Sequence, residues 1–190
     1  MIENRRDLYD YLADDAKNYN NIVGQNVIEK IRKKIRWVLT AHPGNDQKLI
    51  WEYIYALRNA EYSANTNKKF LRVYWFWKMR HLSYKLGYQI PINVFDKGLT
   101  IFHWGSIIIN SNAKIGRNCM LQPQITIGQK KEGEAPIIGD NCYIGSGARI
   151  IGRISIGDNV TIAPNAIITK DMPSNCVVGG VNQIIKMKNI

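Results

Sequence analysis

The chain has 190 residues, 45% hydrophobic content and a formal net charge of +11, enough for a real core in one domain or two small ones. Its first fifteen residues, MIENRRDLYDYLADD, are polar and acidic and no run of 18 apolar residues occurs, which argues against a signal peptide and a spanning helix and for a cytoplasmic protein. The three cysteines, Cys119, Cys142 and Cys176, are an odd and scattered set, read as small buried residues rather than disulfides or a metal site.

From the start to about residue 88 the apolar spacing is helical. Leu8 and Leu12, then Ile28, Ile31, Ile35 and Leu39, then Ile50, Ile54 and Leu57 recur at three- and four-residue steps, with Trp37, Trp51, Tyr53 and Tyr55 interleaved. Several amphipathic helices are predicted, with AHPGND (Ala41 to Asp46) as a breaker and His42 as a turn residue. Before Pro91 there are 16 Lys and Arg against 9 Asp and Glu; the remainder has 10 against 6. Much of the excess lies in KKFLRVYWFWKMRHLSYK (Lys68 to Lys85), which has no acidic residue and carries Phe70, Tyr74, Trp75, Phe76 and Trp77. One reading is a helix lying on an anionic membrane or along an acidic glycan. The preferred one is a helix whose aromatics seal the end of the following β region or a subunit contact while its charges face water. Nucleic acid is not expected, because no binding motif is present and the regular β part does not concentrate the charge.

From about Ile101 to Met172 an aliphatic residue returns every six positions: Ile115, Leu121, Ile127, then Ile138, Ile144, Ile150, Ile156, Ile162 and Ile168. Small residues follow most of them, and Cys119, Cys142, Ala148, Val160 and Ala166 stand four positions after. A six-residue period fits a solenoid of short strands whose coils bury their apolar edges on one another, with glycine at corners that a Cβ would oppose. Between Ile127 and Ile138 lie eleven positions, so five extra residues within Gln129 to Pro136 (QKKEGEAP) leave the coil as a polar loop, a usual place for binding groups. Projected backwards from Ile115, the register passes through Ile109 to His103. A histidine is therefore expected where the other units hold an aliphatic residue, as a structural group or as a catalytic one sharing a cleft with the loop.

The order of these features resembles the hexapeptide-repeat acyltransferases and, within them, the serine acetyltransferase family: a helical N-terminal region, a histidine early in a left-handed parallel β-helix, an extended loop, the run IGDNCYIGSGARIIGRISIGDNVTIAPNAIITKDMP and a short tail. The resemblance implies an α+β fold, with residues 1–88 helical and 89–190 a left-handed β-helix with one extended loop. It also implies a homotrimer or a dimer of trimers, and acetyl-CoA as co-substrate with no metal required. It assigns His103, in IFH, as general base: an alcohol is a weak nucleophile at neutral pH, and a neutral imidazole takes its proton as it attacks the acetyl thioester, with direct transfer in a ternary complex. Acetyl-CoA would lie against Gly128, Gln129, Ser146, Ala163 and Pro164. Arg149, Arg153, Lys170, Lys186 and Lys188 would be available to its phosphates, each equally a solvated surface charge.

Two departures bear on the acceptor. The family's orienting carboxylate, fifteen residues before the histidine, falls on Tyr88, while Asp96 is out of step for stacking beneath His103. The family's loop histidine, just before a proline, falls on Ala135. NVF-x-x-GL-x-I-x-H-x-G (Asn93 to Gly105) is similar to the branch of capsule and exopolysaccharide O-acetyltransferases. The leading expectation is therefore transfer to a sugar hydroxyl of a surface polysaccharide or its precursor, with Trp104 against the ring and Tyr88 and Asp96 nearby. The alternatives are a serine O-acetyltransferase of cysteine biosynthesis and, from another class, a non-catalytic β-helix that only binds partners. The expected location is cytoplasmic, at the inner face of the membrane if Lys68 to Lys85 bind lipid.

Overall fold

The computed structural model describes residues 1–19 and 46–188; the spacing at Ile28 to Leu39, Trp37, the start of the AHPGND breaker and His42 lie outside them. Helix α1 (Arg5–Ala16) begins at Asn4, whose side chain accepts from the Asp7 N–H while the Asp7 carboxylate accepts from the Asn4 N–H, a reciprocal cap that satisfies two otherwise orphaned donors. A short 3₁₀ turn, Lys17–Tyr19, follows. Helices α2 (Asp46–Asn65) and α3 (Lys69–Leu86) form a hairpin over a three-residue turn. Ile50, Ile54 and Leu57 are buried on α2, as the spacing predicts. Helix α3 stops at Gly87, whose φ is +77° and whose added Cβ would stand 3.2 Å from the Gly105 carbonyl carbon, so a side chain there would be strained in conformation and tightly crowded.

Beyond Gly87 the chain winds into coils, one strand on each of three faces in turn. The first face holds β1 (Tyr88–Gln89), β3 (Ile107–Ile109), β6 (Ile125–Gly128), β9 (Arg149–Ile151) and β12 (Ile167–Ile168). The second holds β4 (Lys114–Ile115), β7 (Ile137–Ile138) and β10 (Ser155–Ile156). The third holds β2 (Thr100–Ile101), β5 (Met120–Leu121), β8 (Tyr143–Ile144), β11 (Thr161–Ile162) and β13 (Cys176–Gly179), closed by antiparallel β14 (Gln183–Met187). All other pairings are parallel, and a regular coil advances eighteen residues, as Ile107 opposite Ile125 and Arg149 opposite Ile167 show. That is three six-residue units per turn. Across the loop the step becomes twenty-three, with Ile127 opposite Ile150, which accounts for the five extra residues. All nine residues of the aliphatic series are buried in one continuous core, each such side chain contributing about 1.5–3 kcal/mol. Cys119, Cys142 and Cys176 lie in it as free, buried thiols.

One corner departs from the reading of glycine as the bent residue. Between the second and third faces, Asn118, Asn141, Asn159 and Asn175 take the left-handed conformation, with φ between 54° and 61°. Asn118 Nδ2 donates to Asn141 Oδ1 at 3.1 Å, and Asn159 Nδ2 to Asn175 Oδ1 at 2.9 Å. Asparagine tolerates this region. Gly116 and Gly139 serve close stacking instead: a Cβ on Gly139 would come within 2.8 Å of the Gly157 carbonyl carbon in the next coil.

The helices are joined to the coils through Arg58, which is fully buried. Its Nε donates to Asp15 at 2.7 Å, Nη1 to Glu61 at 3.0 Å and to the Phe95 carbonyl at 2.9 Å, and Nη2 to the Asp96 carbonyl at 2.7 Å. Asp15 also accepts the Gly98 and Leu99 N–H groups, and Glu61 that of Asn93. Every charge thus has several partners, the condition under which buried ions are tolerated.

Candidate active site

The edge where the third face turns into the first carries the candidate residues. Its successive corners are Phe102–Ser106, Gln122–Gln124, Gly145–Ala148 and Ala163–Ala166. They stack directly: Ser146 Oγ and the Gly147 N–H donate to the Pro123 carbonyl at 3.0 and 3.1 Å, and the Asn165 N–H donates to the Ser146 carbonyl at 2.8 Å. A Cβ on Gly105 would meet Pro123 at 2.9 Å, and one on Gly145 would meet the Pro164 nitrogen at 2.6 Å. His103, Ser146, Ala163 and Pro164 therefore share one edge of the prism.

His103 does not occupy the aliphatic register. Ile101 pairs with Leu121 and fills that inward place, and the step from the first coil to the second is twenty residues on that face against eighteen on the next. The first corner is two residues longer than its successor, so backward projection of the period overshoots. The consequence is that His103 and Trp104 project outward, both exposed, Trp104 by 60%.

The backbone around this histidine is held from several sides. Phe102 N–H donates to the Leu121 carbonyl at 3.1 Å, Gly105 N–H to that of Leu86 at 2.9 Å, and Ile107 N–H to that of Gly87 at 3.1 Å. From below, the Tyr88 hydroxyl donates to the His103 carbonyl at 3.0 Å. Tyr88 is only 4% exposed and packs edge-on against Tyr53 with ring centroids 5.1 Å apart. The reading of Tyr88 as an acceptor contact is thereby corrected: its side chain lies beneath the corner, packed in the core. Burial pushes its hydroxyl well above the usual range, which keeps the proton that it donates. Among the described residues none hydrogen-bonds the imidazole itself.

The other candidates distribute as follows. Asp96 is separated from His103: its N–H donates to the Ile115 carbonyl on the second face, and it lines a cavity of about 440 Å³ with Asp7, Asp10, Lys97, Arg117 and Asp140, so it is corrected as an acceptor residue as well. Gly128 ends β6, and with Gln129, the loop and Lys170 it lies on the next edge, between the first and second faces. Within one chain the loop and His103 thus stand at opposite borders of the five-stranded face. Arg149 is on that face, but its Nη1 is engaged with the carbonyls of Gln124, Gly147 and Ala148. Lys170 and Lys186 are exposed, and Lys188 Nζ donates to the Asn159 carbonyl and Thr161 Oγ1. Pro123 and Gln124 were not singled out from sequence, although Gln124, Gly147 and Asn165 share positive φ at equivalent corners. The six-residue period would have located them. No group of three or more His, Cys, Asp or Glu among the described residues is placed to hold a metal ion, and no described helix is long and apolar enough to cross a membrane.

Residues 135–170 match the family model described as Bacterial transferase hexapeptide (six repeats). The serine acetyltransferase of Synechococcus elongatus is 33% identical over 108 residues, covering 54% of this chain and 44% of that protein. That of Staphylococcus aureus is 35% identical over 98 residues, covering 50% and 46%. The chain spans about half the length of the curated relatives it matches. Among solved structures, Neisseria gonorrhoeae serine acetyltransferase in complex with serine superposes with a TM-score of 0.65 at 20% identity, covering 96% of this chain and 70% of that one. Brucella abortus serine acetyltransferase in complex with coenzyme A gives 0.66 at 18%, covering 97% and 70%. At these identities the likeness is one of fold. The relatives are named for serine, which overturns the expectation of a sugar acceptor and of the capsule and exopolysaccharide branch, and favours the serine alternative.

Proposed function

We propose that this chain is an acetyl-CoA-dependent O-acetyltransferase whose acceptor is the hydroxyl of L-serine, with His103 as general base. The serine oxygen attacks the thioester carbonyl carbon and the C–S bond breaks. His103 accepts the hydroxyl proton and returns it to the departing coenzyme A thiolate, so no covalent enzyme intermediate is required. The observation that carries this reading is the exposed His103 on its clamped corner, heading an edge that continues through Ser146 and Pro164, in a chain similar to serine acetyltransferases over about half its length. Ser146, Ala163 and Pro164 are the proposed contacts of the coenzyme on that edge, and Gly128, Gln129, Lys170 and Lys186 are proposed contacts from the others.

We read the coils as left-handed, residues 1–88 and 89–190 as the two parts of the chain, and the working assembly as a trimer or a pair of trimers. In support of the assembly, His103 and the loop after Gly128 border opposite sides of one face, and a neighbouring copy's edge would bring the two kinds of residue to one cleft. The direct test of the reaction is mass spectrometry of a mixture of the protein, acetyl-CoA and L-serine. O-acetylserine is the expected product, and its absence beside intact coenzyme binding would refute the assignment.

A further inference from the structure

Helix α3 is apolar on two opposite sides. Leu82 and Leu86 are buried, and Trp75 and Met79 pack half-buried against the same core; these four recur at helical spacing on one face. On the opposite face stand Phe70, Val73, Trp77 and Tyr84, exposed by 95, 72, 65 and 76%. Their spacing of three, four and seven residues makes one stripe, and the Trp77 ring stacks on His81 within it. Lys69 and Arg80 line one border of this stripe and Lys78 and Lys85 the other, while Lys68 to Lys85 contain six basic residues and no acidic one.

We propose that this face of α3 docks on the surface of an anionic lipid bilayer, with the helix lying in the interface, the aromatic stripe at headgroup depth and the flanking bases toward the lipid phosphates. An apolar stripe rich in aromatics and bordered on both sides by Lys and Arg is the chemistry that such a surface selects. A second copy fits less well, because a twofold contact sets the same patch against itself and would oppose the bordering Lys69, Lys78, Arg80 and Lys85 to their own copies, with no carboxylate in the run to pair them. Trp75 packs half-buried against the core and edge-on to Tyr55 of α2, with ring centroids 5.7 Å apart; Phe70, Trp77 and Tyr84, the three aromatics of the outer stripe, serve the surface contact.

The experiment is flotation of the full chain with vesicles of phosphatidylcholine alone and of phosphatidylcholine mixed with phosphatidylglycerol, at low and high salt. The protein should float only with the anionic vesicles and be released by salt, since exposed charges are screened beyond about 8 Å at physiological ionic strength. Lys69→Gln with Arg80→Gln should weaken partitioning about 25-fold, at about fivefold per base near an anionic surface. Phe70→Ser with Trp77→Ser should also weaken it while leaving the mass of the assembly unchanged. Equal recovery with both vesicle types, or none with either, would overturn the proposal. A smaller assembly for the Phe70→Ser, Trp77→Ser variant would overturn it in favour of a contact between copies.

Discussion

The hydroxyl of Tyr88 donates a 3.0 Å hydrogen bond to the carbonyl of His103, so a residue buried against Tyr53 fixes the height of the corner that presents the proposed base. Because the bond reaches the backbone, Tyr88 acts as a positioning residue and leaves the imidazole free to turn toward substrate. Tyr88→Phe removes the hydrogen bond and keeps the ring in its packing. Since one such bond is worth about 0.5–1.5 kcal/mol, kcat should fall about 2- to 12-fold with KM for acetyl-CoA little changed. Steady-state kinetics beside a thermal melt will check this. An unchanged kcat in a variant that melts at a lower temperature would reduce Tyr88 to a purely structural role.

Arg58 gives a stability prediction. Arg58→Met would leave the Asp15 and Glu61 carboxylates buried without their cation, and removing one partner of a buried ion pair costs about 3–5 kcal/mol. Chemical denaturation should record that loss, and a variant as stable as the parent would mean that the charges rearrange or reach water.

The same variant should acquire a pH dependence with a definite sign. Burial already pushes the Glu61 carboxyl above its ordinary value of 4.5, while Arg58 and the Asn93 N–H pull it back. Without Arg58 the value rises further. A carboxyl with a raised folded value contributes stability at acid pH that is lost as pH rises through that value. Arg58→Met should therefore be less destabilised at pH 5 than at pH 8. Parallel denaturation curves at the two pH values, with an equal deficit, would contradict this.

The assembly is tested by light scattering on the purified chain. A mass of three or six times 21.8 kDa is expected. A monomer that still turns over substrate would show that one chain completes the site without a neighbour's edge.

The coils were legible because a solenoid writes its packing into the sequence directly: each inward position, Ile115 to Ile168, is met by the same neighbours one coil on, so the period survives intact. The loop was legible as a break in that period. His103 stands out in the sequence, but backward projection sets it in the wrong register, since only one coil precedes the periodic stretch and nothing in it marks a corner two residues longer. The Asn118 to Asn175 corner is not legible as asparagine work, because spacing reveals a bend without saying which residue bends. The contacts of Arg58 and Tyr88 join residues 37 and 15 positions apart and carry no periodic signal. The acceptor expectation is overturned for a different reason: the lack of a carboxylate at Tyr88 and of a histidine at Ala135 argues against serine only if those positions must touch the acceptor, whereas the relatives are named for serine and Tyr88 supports the histidine through its backbone.

Thiol release from acetyl-CoA with L-serine as acceptor is the most direct measurement of the central claim. The wild-type chain should reach a kcat/KM for serine of ~10⁴ M⁻¹s⁻¹ or above, and His103→Ala should lower turnover by about 10²- to 10⁴-fold while coenzyme A affinity, read by calorimetry, stays the same. A wild-type protein that binds coenzyme A and releases no thiol when serine is added, or a His103→Ala variant that keeps most of the wild-type rate, would contradict it.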